Sequence, residues 1–339
     1  MSYTIDVYRK KLRPTKDFIS FATFVSFFPQ LVAGPIERAS NLLPQILKKR
    51  NFEYEQGVQG LRLILWGMFK KVVIADSLAP LVNEIFRDYE LLDGGSLWLG
   101  VFYFAFQIYC DFSGYSDIAI GTAKLFGFEI MSNFKFPYFS RNIGEFWRRW
   151  HISLSTWFRD YLYIPLGGSR DGKFKSIRNI FIIFLVSGFW HGSNWTFIFW
   201  GLFHSILFIP SFILNTNRKY TTSIIAENTF LPSLKEFIQV GTTFLLVAIG
   251  WVFFRSETIV DSFGYLNHMI FDFSIPTKFR SGVMSVMVFI SIEYLIKKDE
   301  RLNLRLFNNH VLNYVLYSII LLFIVANFYK NSEFIYFQF

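Results

Sequence analysis

The sequence predicts an all-α, polytopic integral membrane protein, and two observations support this prediction. Hydrophobic residues make up 53% of the 339 residues and charged residues 17%, whereas soluble domains contain about 25% charged residues. The 39 residues from 179 to 217 also contain no Asp, Glu, Lys or Arg. Because a helix needs about 20 apolar residues to cross the bilayer core, this stretch is long enough for two spans.

Further apolar runs indicate about seven or eight hydrophobic segments in a single membrane-embedded domain over residues 1–339. Residues 18–36 are uncharged but contain Pro29 and Pro35, which predict a broken or re-entrant helix buried in protein. Lys70 and Lys71 interrupt the apolar residues 61–82, so this segment is expected to lie obliquely or to extend its lysines to the interface. The remaining candidate spans are Gly94–Cys110, Phe237–Phe254, Gly282–Ile296 and Leu306–Tyr329.

Residues 135–178 form a polar section with nine basic and three acidic residues. Such an excess of Lys and Arg favours the cytoplasmic side of the membrane. Within this section, residues 142–163 have the spacing of an amphipathic helix at the membrane interface, with Asn142 and Glu145 as a capping box. The aromatic face of this helix carries His151 inward, toward the protein. A buried histidine satisfied by one backbone carbonyl is the alternative interpretation of His151.

The composition excludes several classes of site. The chain has one cysteine, Cys110, which excludes an internal disulfide framework or a cysteine-based metal cluster. Metal-binding and nucleotide-binding motifs are missing from the sequence, so we expect no metal site and no bound cofactor. The net charge of +9 arises from basic loops between apolar runs, a pattern typical of membrane topology and not of nucleic-acid binding.

Two histidines lie in the uncharged stretch, His191 in its first half and His204 in its second. Ionisable side chains within a membrane are expensive and are functional hypotheses by default, and a histidine can move a proton without a permanent charge. Interhelical hydrogen bonding is the alternative, which we favour for His204. Asp111 and Asp117 are expected in the same bundle, paired with an arginine or hydroxyl or orienting a histidine.

Five motifs together resemble the membrane-bound O-acyltransferase (MBOAT) superfamily, specifically its alginate O-acetyltransferase branch. The motifs are FFPQLVAGPI at 27–36, DFSGYSD at 111–117, FWRRWHISLSTWFRDY at 146–161, PLGG at 165–168 and FWHG at 189–192. Their order and approximate spacing agree with that family from about residue 3 to at least residue 255. The last 80 or so residues resemble the family in hydropathy alone.

The resemblance implies a helical bundle with a transmembrane tunnel and interfacial or re-entrant helices. It implies that His191 is the catalytic histidine and that His151 is a second active-site residue. The implied enzyme is a multi-pass protein of the bacterial inner membrane. It moves an acetyl or other acyl group from a cytoplasmic thioester, acetyl-CoA or a carrier-bound acyl group, for O-acetylation of an exported polysaccharide such as alginate.

The resemblance also implies partners and a departure. The expected partners are membrane lipid, an extracytoplasmic acetyltransferase and the polysaccharide export machinery. Family members usually begin with several further transmembrane helices before the position that corresponds to residue 3. We therefore expect this chain to be shortened at its N-terminus relative to the family.

Two other functions and one mechanistic choice stay open. D-alanyl transfer to teichoic acid is the reaction of a related branch of the superfamily. A non-catalytic transporter or polymer-export component is the alternative from another class, although transporters favour internal repeats and the sequence shows none. For an enzyme, a general-base histidine and a covalent acyl-histidine intermediate are both compatible with the sequence.

Overall fold

Helices account for the regular structure in the part of the chain that the computed structural model describes, namely residues 1–276, 278–299, 309–328 and 334. The predicted all-α class is therefore confirmed. The α-helices of these ranges are α1 (Ser2–Tyr8), α2 (Phe18–Val25), α3 (Ala39–Leu47), α4 (Tyr54–Met68), α5 (Asp76–Arg87), α6 (Gly94–Leu125), α7 (Ile143–Arg149), α8 (Ile152–Phe158), α9 (Lys173–His191), α10 (Trp195–Ile213), α11 (Leu234–Arg255), α12 (Ile259–Phe271), α13 (Ser281–Ile296) and α14 (His310–Asn327).

Two pairs of glycines bring α4 and α6 into direct backbone contact. A Cβ atom at Gly67 would lie 2.5 Å from the carbonyl oxygen of Gly114, and one at Gly114 would lie 2.7 Å from the oxygen of Gly67. Gly60 and Gly121 approach in the same reciprocal way, at 2.6 and 2.5 Å. The pairs are seven residues apart on each helix, which is two turns. These four residues, here called the glycine seam, are the small interfacial residues that membrane helices use for close packing.

Two buried ion networks lie beside the glycine seam. Lys70, which is 2% exposed, contacts Asp117 at 2.6 Å and donates a hydrogen bond to the Ser113 hydroxyl at 2.8 Å. Lys71 contacts Asp76 at 2.7 Å and Asp111 at 2.8 Å. The aspartates do lie inside the bundle, but their charged partners are lysines and not the arginine that we expected.

Of the two arrangements expected for residues 61–82, extension of the lysines to the interface is not what their ion pairs show, whereas an oblique segment stays a prediction. Residues 61–82 belong to a continuous helical run in which a π-helical segment, Phe69–Ala75, joins α4 to α5. This widened turn carries both lysines, and their ammonium groups meet the carboxylates of the bundle interior. Burial removes water from the ammonium groups, which would stay hydrated at the membrane interface. Pairing with Asp117 and Asp111 compensates for this loss.

Of the described helices, three are long and apolar enough to cross a membrane by themselves, namely α10, α11 and α14. α13 and the Phe18–Gln30 region are shorter apolar helices. As its prolines predict, the latter region is broken, with α2 followed by a single 3₁₀ turn at Phe28–Gln30. The expected span Gly94–Cys110 is the first half of α6, and the outer ends of the expected span Leu306–Tyr329 lie outside the described residues.

The single amphipathic helix predicted for residues 142–163 is wrong. His151 adopts a left-handed conformation with φ of +43°, and this kink separates α7 from α8. The Ile152 N–H donates to the carbonyl oxygen of Asn133 at 2.9 Å, a tertiary bond that replaces the helical one. The capping box is half formed, because Asn142 accepts from the N–H of Glu145 while the Glu145 carboxylate bonds to Arg141.

We predict that Gly114→Ala lowers the free energy of unfolding by about 1–3 kcal/mol, because the added methyl group overpacks the glycine seam. The matched control is Gly241→Ala in α11, where a Cβ meets nothing within 4 Å and loss of a helical glycine is expected to be neutral or stabilising. Thermal unfolding of both variants in detergent micelles measures the difference. Equal melting temperatures for the two variants would contradict a tight seam.

Candidate active site

One cavity of about 250 Å³ contains both histidines that the sequence singled out. It runs between the α7–α8 section and the α9–α10 pair, and His151 and His191 both line it. The remaining lining residues are Trp147, Trp150, Leu154, Ser155, Phe158, Arg159, Tyr163, Ile180, Ile183, Phe184, Ser187, Phe208, Phe212, Asn217 and Arg218. The helical spacing predicts one face made of Trp147, His151, Leu154, Phe158 and Tyr161. The first four line the cavity although the helix is broken, whereas Tyr161 does not line it and donates a hydrogen bond to Asp6 at 2.7 Å.

His191 is the last residue of α9, at the tip of a tight hairpin with α10. A Cβ at Gly188 would lie 2.3 Å from the carbonyl oxygen of Phe197, so the two helices pack backbone to backbone. A Cβ at Gly192 would lie 2.4 Å from the Phe197 ring, so a larger residue after His191 would displace that ring. The His191 ring meets the edges of aromatic neighbours, including Trp200 at 5.3 Å between centroids.

His151 is held in place by its backbone. Besides the bond from Ile152 to Asn133, the N–H of Lys135 donates to the carbonyl oxygen of Arg149 at 3.0 Å. Together these bonds pair residues 133–135 with residues 149–152. The His151 side chain is 3% exposed and packs edge-on against Phe112 of α6, 4.6 Å between ring centroids.

The Trp190 indole connects the two imidazoles. Its ring centroid lies 6.0 Å from that of His151 and 5.0 Å from that of His191. Burial, with a smaller contribution from His191, lowers the pKa of His151 well below its usual range. His151 is therefore neutral at physiological pH, and a neutral imidazole has one hydrogen-bond donor and one acceptor to offer. Since both distances are measured from Trp190, the centroids of the two imidazoles lie no more than 11.0 Å apart.

The cavity changes character along its length. Arg159 and Arg218 lie at one end, beside the exposed turns that flank the spans. Ile180, Ile183 and other apolar side chains form its middle, and His191 closes the other end. Because an α-helix rises 1.5 Å per residue, about 17 Å of α9 separates Ile180 from His191. The site therefore combines a basic entrance, an apolar channel and a pair of imidazoles.

The sequence spacing predicts some of the residues that line the cavity and not others. Ser187 lies one helical turn before His191 and shares its face, so its place in the cavity follows from spacing. Arg218 lies 27 positions beyond His191 and had no such signal. Asp111 and Asp117 do not line the cavity and contact lysines. Among the described residues, no group of three or more metal-ligating side chains is present.

Comparison with known proteins assigns the chain to a family. Residues 8–223 match the model of the membrane-bound O-acyltransferase family, MBOAT. The chain belongs to this family. It is therefore a polytopic membrane protein of the MBOAT type, as the five motifs predicted.

Curated relatives of this MBOAT protein include three kinds of transferase. It is 45% identical over 259 residues to the probable alginate O-acetylase AlgI of Pseudomonas syringae pv. tomato, which covers 76% of this chain and 47% of the relative. It is 36% identical over 327 residues to the peptidoglycan O-acetyltransferase of Helicobacter pylori, covering 94% of this chain and 58% of the relative. It is 32% identical over 247 residues to the teichoic acid D-alanyltransferase of Streptococcus thermophilus, covering 66% and 59%.

The matches cover different shares of this chain and of its relatives. The chain spans about half the length of the alginate O-acetylases that it matches. The similarity to the Helicobacter pylori protein covers 94% of this chain, so similarity to this relative extends into the C-terminal residues, beyond the residues 8–223 that match the family model.

The left-handed backbone at His151 predicts an unusual pattern of tolerance in this MBOAT protein. Asn accepts this conformation, whereas β-branched Val does not. We expect the free energy of unfolding of His151→Val to be about 1–2 kcal/mol lower than that of His151→Asn. Both variants lack the imidazole, so thermal unfolding in micelles isolates the backbone effect. If Val is tolerated as well as Asn, the left-handed turn is not required.

Proposed function

We propose that the protein is an O-acyltransferase that moves an acetyl or related acyl group from a cytoplasmic thioester across the membrane for O-acetylation of an exported polysaccharide. The observation that supports this proposal is the cavity that contains both His191 and His151 in a chain of the MBOAT family. The relatives are named as O-acetylases, an O-acetyltransferase and a D-alanyltransferase. All three names describe acyl transfer.

His191 is the general base in this proposal. The hydroxyl oxygen of the acceptor attacks the thioester carbonyl carbon while the imidazole of His191 takes the hydroxyl proton. The tetrahedral intermediate then collapses, the carbon–sulfur bond breaks, and the proton passes from His191 to the departing thiolate. A positioned general base contributes about 10²–10⁴-fold to such a step. An acyl-histidine formed on His191 is the covalent variant of the same proposal.

His151 stabilises the charge that develops during this step. Its neutral imidazole has one N–H to donate, and donors aimed at a developing oxyanion lower the barrier most when water is excluded. His151 is 3% exposed, which meets that condition. The apolar channel beside it keeps bulk water from hydrolysing the thioester.

The basic entrance of the cavity suits a phosphate-bearing donor. Arg159 and Arg218 lie at this end, and guanidinium groups bind phosphate oxygens in bidentate geometry. Acetyl-CoA and a carrier-bound acyl thioester both present a phosphate on the arm that ends in the thioester, so either fits this entrance. The donor is a substrate, and the proposal requires no resident cofactor.

The names of the relatives support candidates for the acceptor. Similarity to the alginate O-acetylases, at 45% identity, favours an exported polysaccharide such as alginate. The match to the peptidoglycan O-acetyltransferase covers more of the chain, and teichoic acid D-alanylation is the second candidate, supported by the D-alanyltransferase match. We place the protein in the bacterial inner membrane, with an extracytoplasmic acetyltransferase and the polymer-export machinery as partners.

His191→Ala is expected to reduce acyl transfer by at least about 10²-fold, because it removes the general base. Membrane insertion should be unchanged, since one uncharged residue replaces another. The measurement is acetyl ester content of cell-surface polymer, together with the amount of protein in the membrane fraction. The matched control is His268→Ala, which removes a partly exposed histidine whose partner, Asp272, lies 2.9 Å away. Normal transfer by correctly inserted His191→Ala would refute the assignment of the base.

Topology is the second test of this proposal. A cysteine at Ser169, which is exposed, should resist an impermeant thiol reagent in intact cells and react after the membrane is opened, because the basic section faces the cytoplasm. A cysteine at Ser193, beyond the other end of α9, should react from outside. The native Cys110 is buried and gives little background. Labelling of Ser169→Cys from outside would reverse the orientation and remove the cytoplasmic donor entrance.

A further inference from the structure

Three aromatic side chains near His191, of which Trp147 is half-buried, carry buried nitrogen atoms that no described residue satisfies. These atoms are the indole nitrogens of Trp147 and Trp200 and both imidazole nitrogens of His204. The rings form a triangle, with centroid separations of 5.1 Å (Trp147–His204), 5.0 Å (Trp200–His204) and 5.8 Å (Trp147–Trp200). His204 is 0% exposed and Trp200 is 1% exposed, so bulk solvent does not hydrate these groups.

The same pattern continues along α10. Thr196, Trp200 and His204 follow at intervals of four residues and therefore share one face of the helix. The hydroxyl of Thr196, which is 0% exposed, also lacks a described hydrogen-bond partner. Hydrogen bonding between helices, the role that the sequence suggested for His204, is not what the described residues show. Each unsatisfied buried polar group costs about 1–3 kcal/mol, so a stripe of them needs a physical explanation.

The hydrogen-bond donors and acceptors of these three rings define which molecule can satisfy them. An indole N–H only donates, whereas a neutral imidazole has one donor and one acceptor. A partner molecule must therefore accept hydrogen bonds from the indoles and donate one to the unprotonated nitrogen of the imidazole. A water molecule does both, having two lone pairs and two hydrogens, and internal waters typically make about three such bonds. A carbonyl or thioester oxygen cannot donate to the imidazole.

The position of the triangle decides between water and a substrate hydroxyl. Trp147 lines the cavity, but Trp200 and His204 do not. One side of His204 is closed by α11, because a Cβ at Gly250 would lie 2.7 Å from Nε2. Nδ1 is thus the nitrogen left to meet a small guest. Because Trp200 and His204 do not line the cavity, a water molecule suits this position better than a sugar hydroxyl that enters through the cavity.

We propose that Trp147, Trp200 and His204 form an internal water site behind His191, and that His204 is a positioning residue for the reaction. Trp200 stands between the two histidines, with its ring almost perpendicular to that of His191 at 87° and inclined to that of His204 at 68°. A water held by His204 fixes the indole of Trp200, and the edge-on indole fixes the imidazole of His191. The positioning role rests on the proposed function, whereas the water site does not.

Thermal unfolding of the full chain in micelles tests the water site without reference to activity. His204→Phe keeps an aromatic ring of similar size but removes both nitrogens. If water bridges the triangle, this change strands the indole N–H groups and lowers the melting temperature, by about 2–6 °C. If the nitrogens have no partner, the same change removes two unsatisfied groups, and the melting temperature stays the same or rises, which overturns the proposal.

His204→Gln supplies the rescue, because its amide both donates and accepts. We expect its melting temperature to lie closer to that of the native protein than to that of His204→Phe, and equal losses in the two variants would overturn the proposal. His268→Phe controls for addition of a phenyl ring at a partly exposed histidine.

For the positioning role, we expect His204→Phe to lower kcat of acyl transfer about 10-fold with KM unchanged, and His204→Gln to recover most of it. Unchanged kcat in His204→Phe would remove that role and leave the water site to the unfolding measurement.

Discussion

The glycine seam between α4 and α6 is the contact on which the buried ion networks and the His151 half of the site depend. Backbone contact at Gly67 and Gly114 brings the π-helical turn of the α4–α5 run against the middle of α6. Only at that separation do Lys70 and Lys71 meet the carboxylates of α6 at hydrogen-bonding distance. Removing one partner from such a buried pair typically costs about 3–5 kcal/mol, so the seam and the ion networks stabilise each other.

The seam also determines where one half of the site lies. α6 supports the segment after it through a hydrogen bond of 3.0 Å from Asn133 to the hydroxyl of Ser116. Asn133 in turn accepts the N–H of Ile152, and Phe112 of α6 packs against the His151 ring. His151 is therefore fixed by α6 and not by a helix of its own. Its left-handed backbone is the local strain that functional sites often retain.

The other half of the site is built independently, by the α9–α10 hairpin. Its tight packing at Gly188 and the turn at Gly192 place His191 at the tip, and aromatic rings close around it. Two separately supported units thus meet with the Trp190 indole between their histidines. In the proposed mechanism this division preorganises each imidazole through its own neighbours and leaves the cavity between them to the substrate.

The sequence by itself determined the fold class and the broken segment at Pro29, because hydropathy and proline act locally. The two histidines that share a cavity were predicted through the resemblance to the MBOAT superfamily. The sequence did not determine the partners of Lys70 and Lys71. A lysine in an apolar run is expected at the membrane interface unless another helix supplies a carboxylate to pair with it. The sequence also predicted one helix where His151 bends the chain, because the competing hydrogen bond comes from Asn133, which is distant in sequence. Only the tertiary structure decided those pairings and the unsatisfied nitrogens of His204, because each depends on which groups other helices bring within reach.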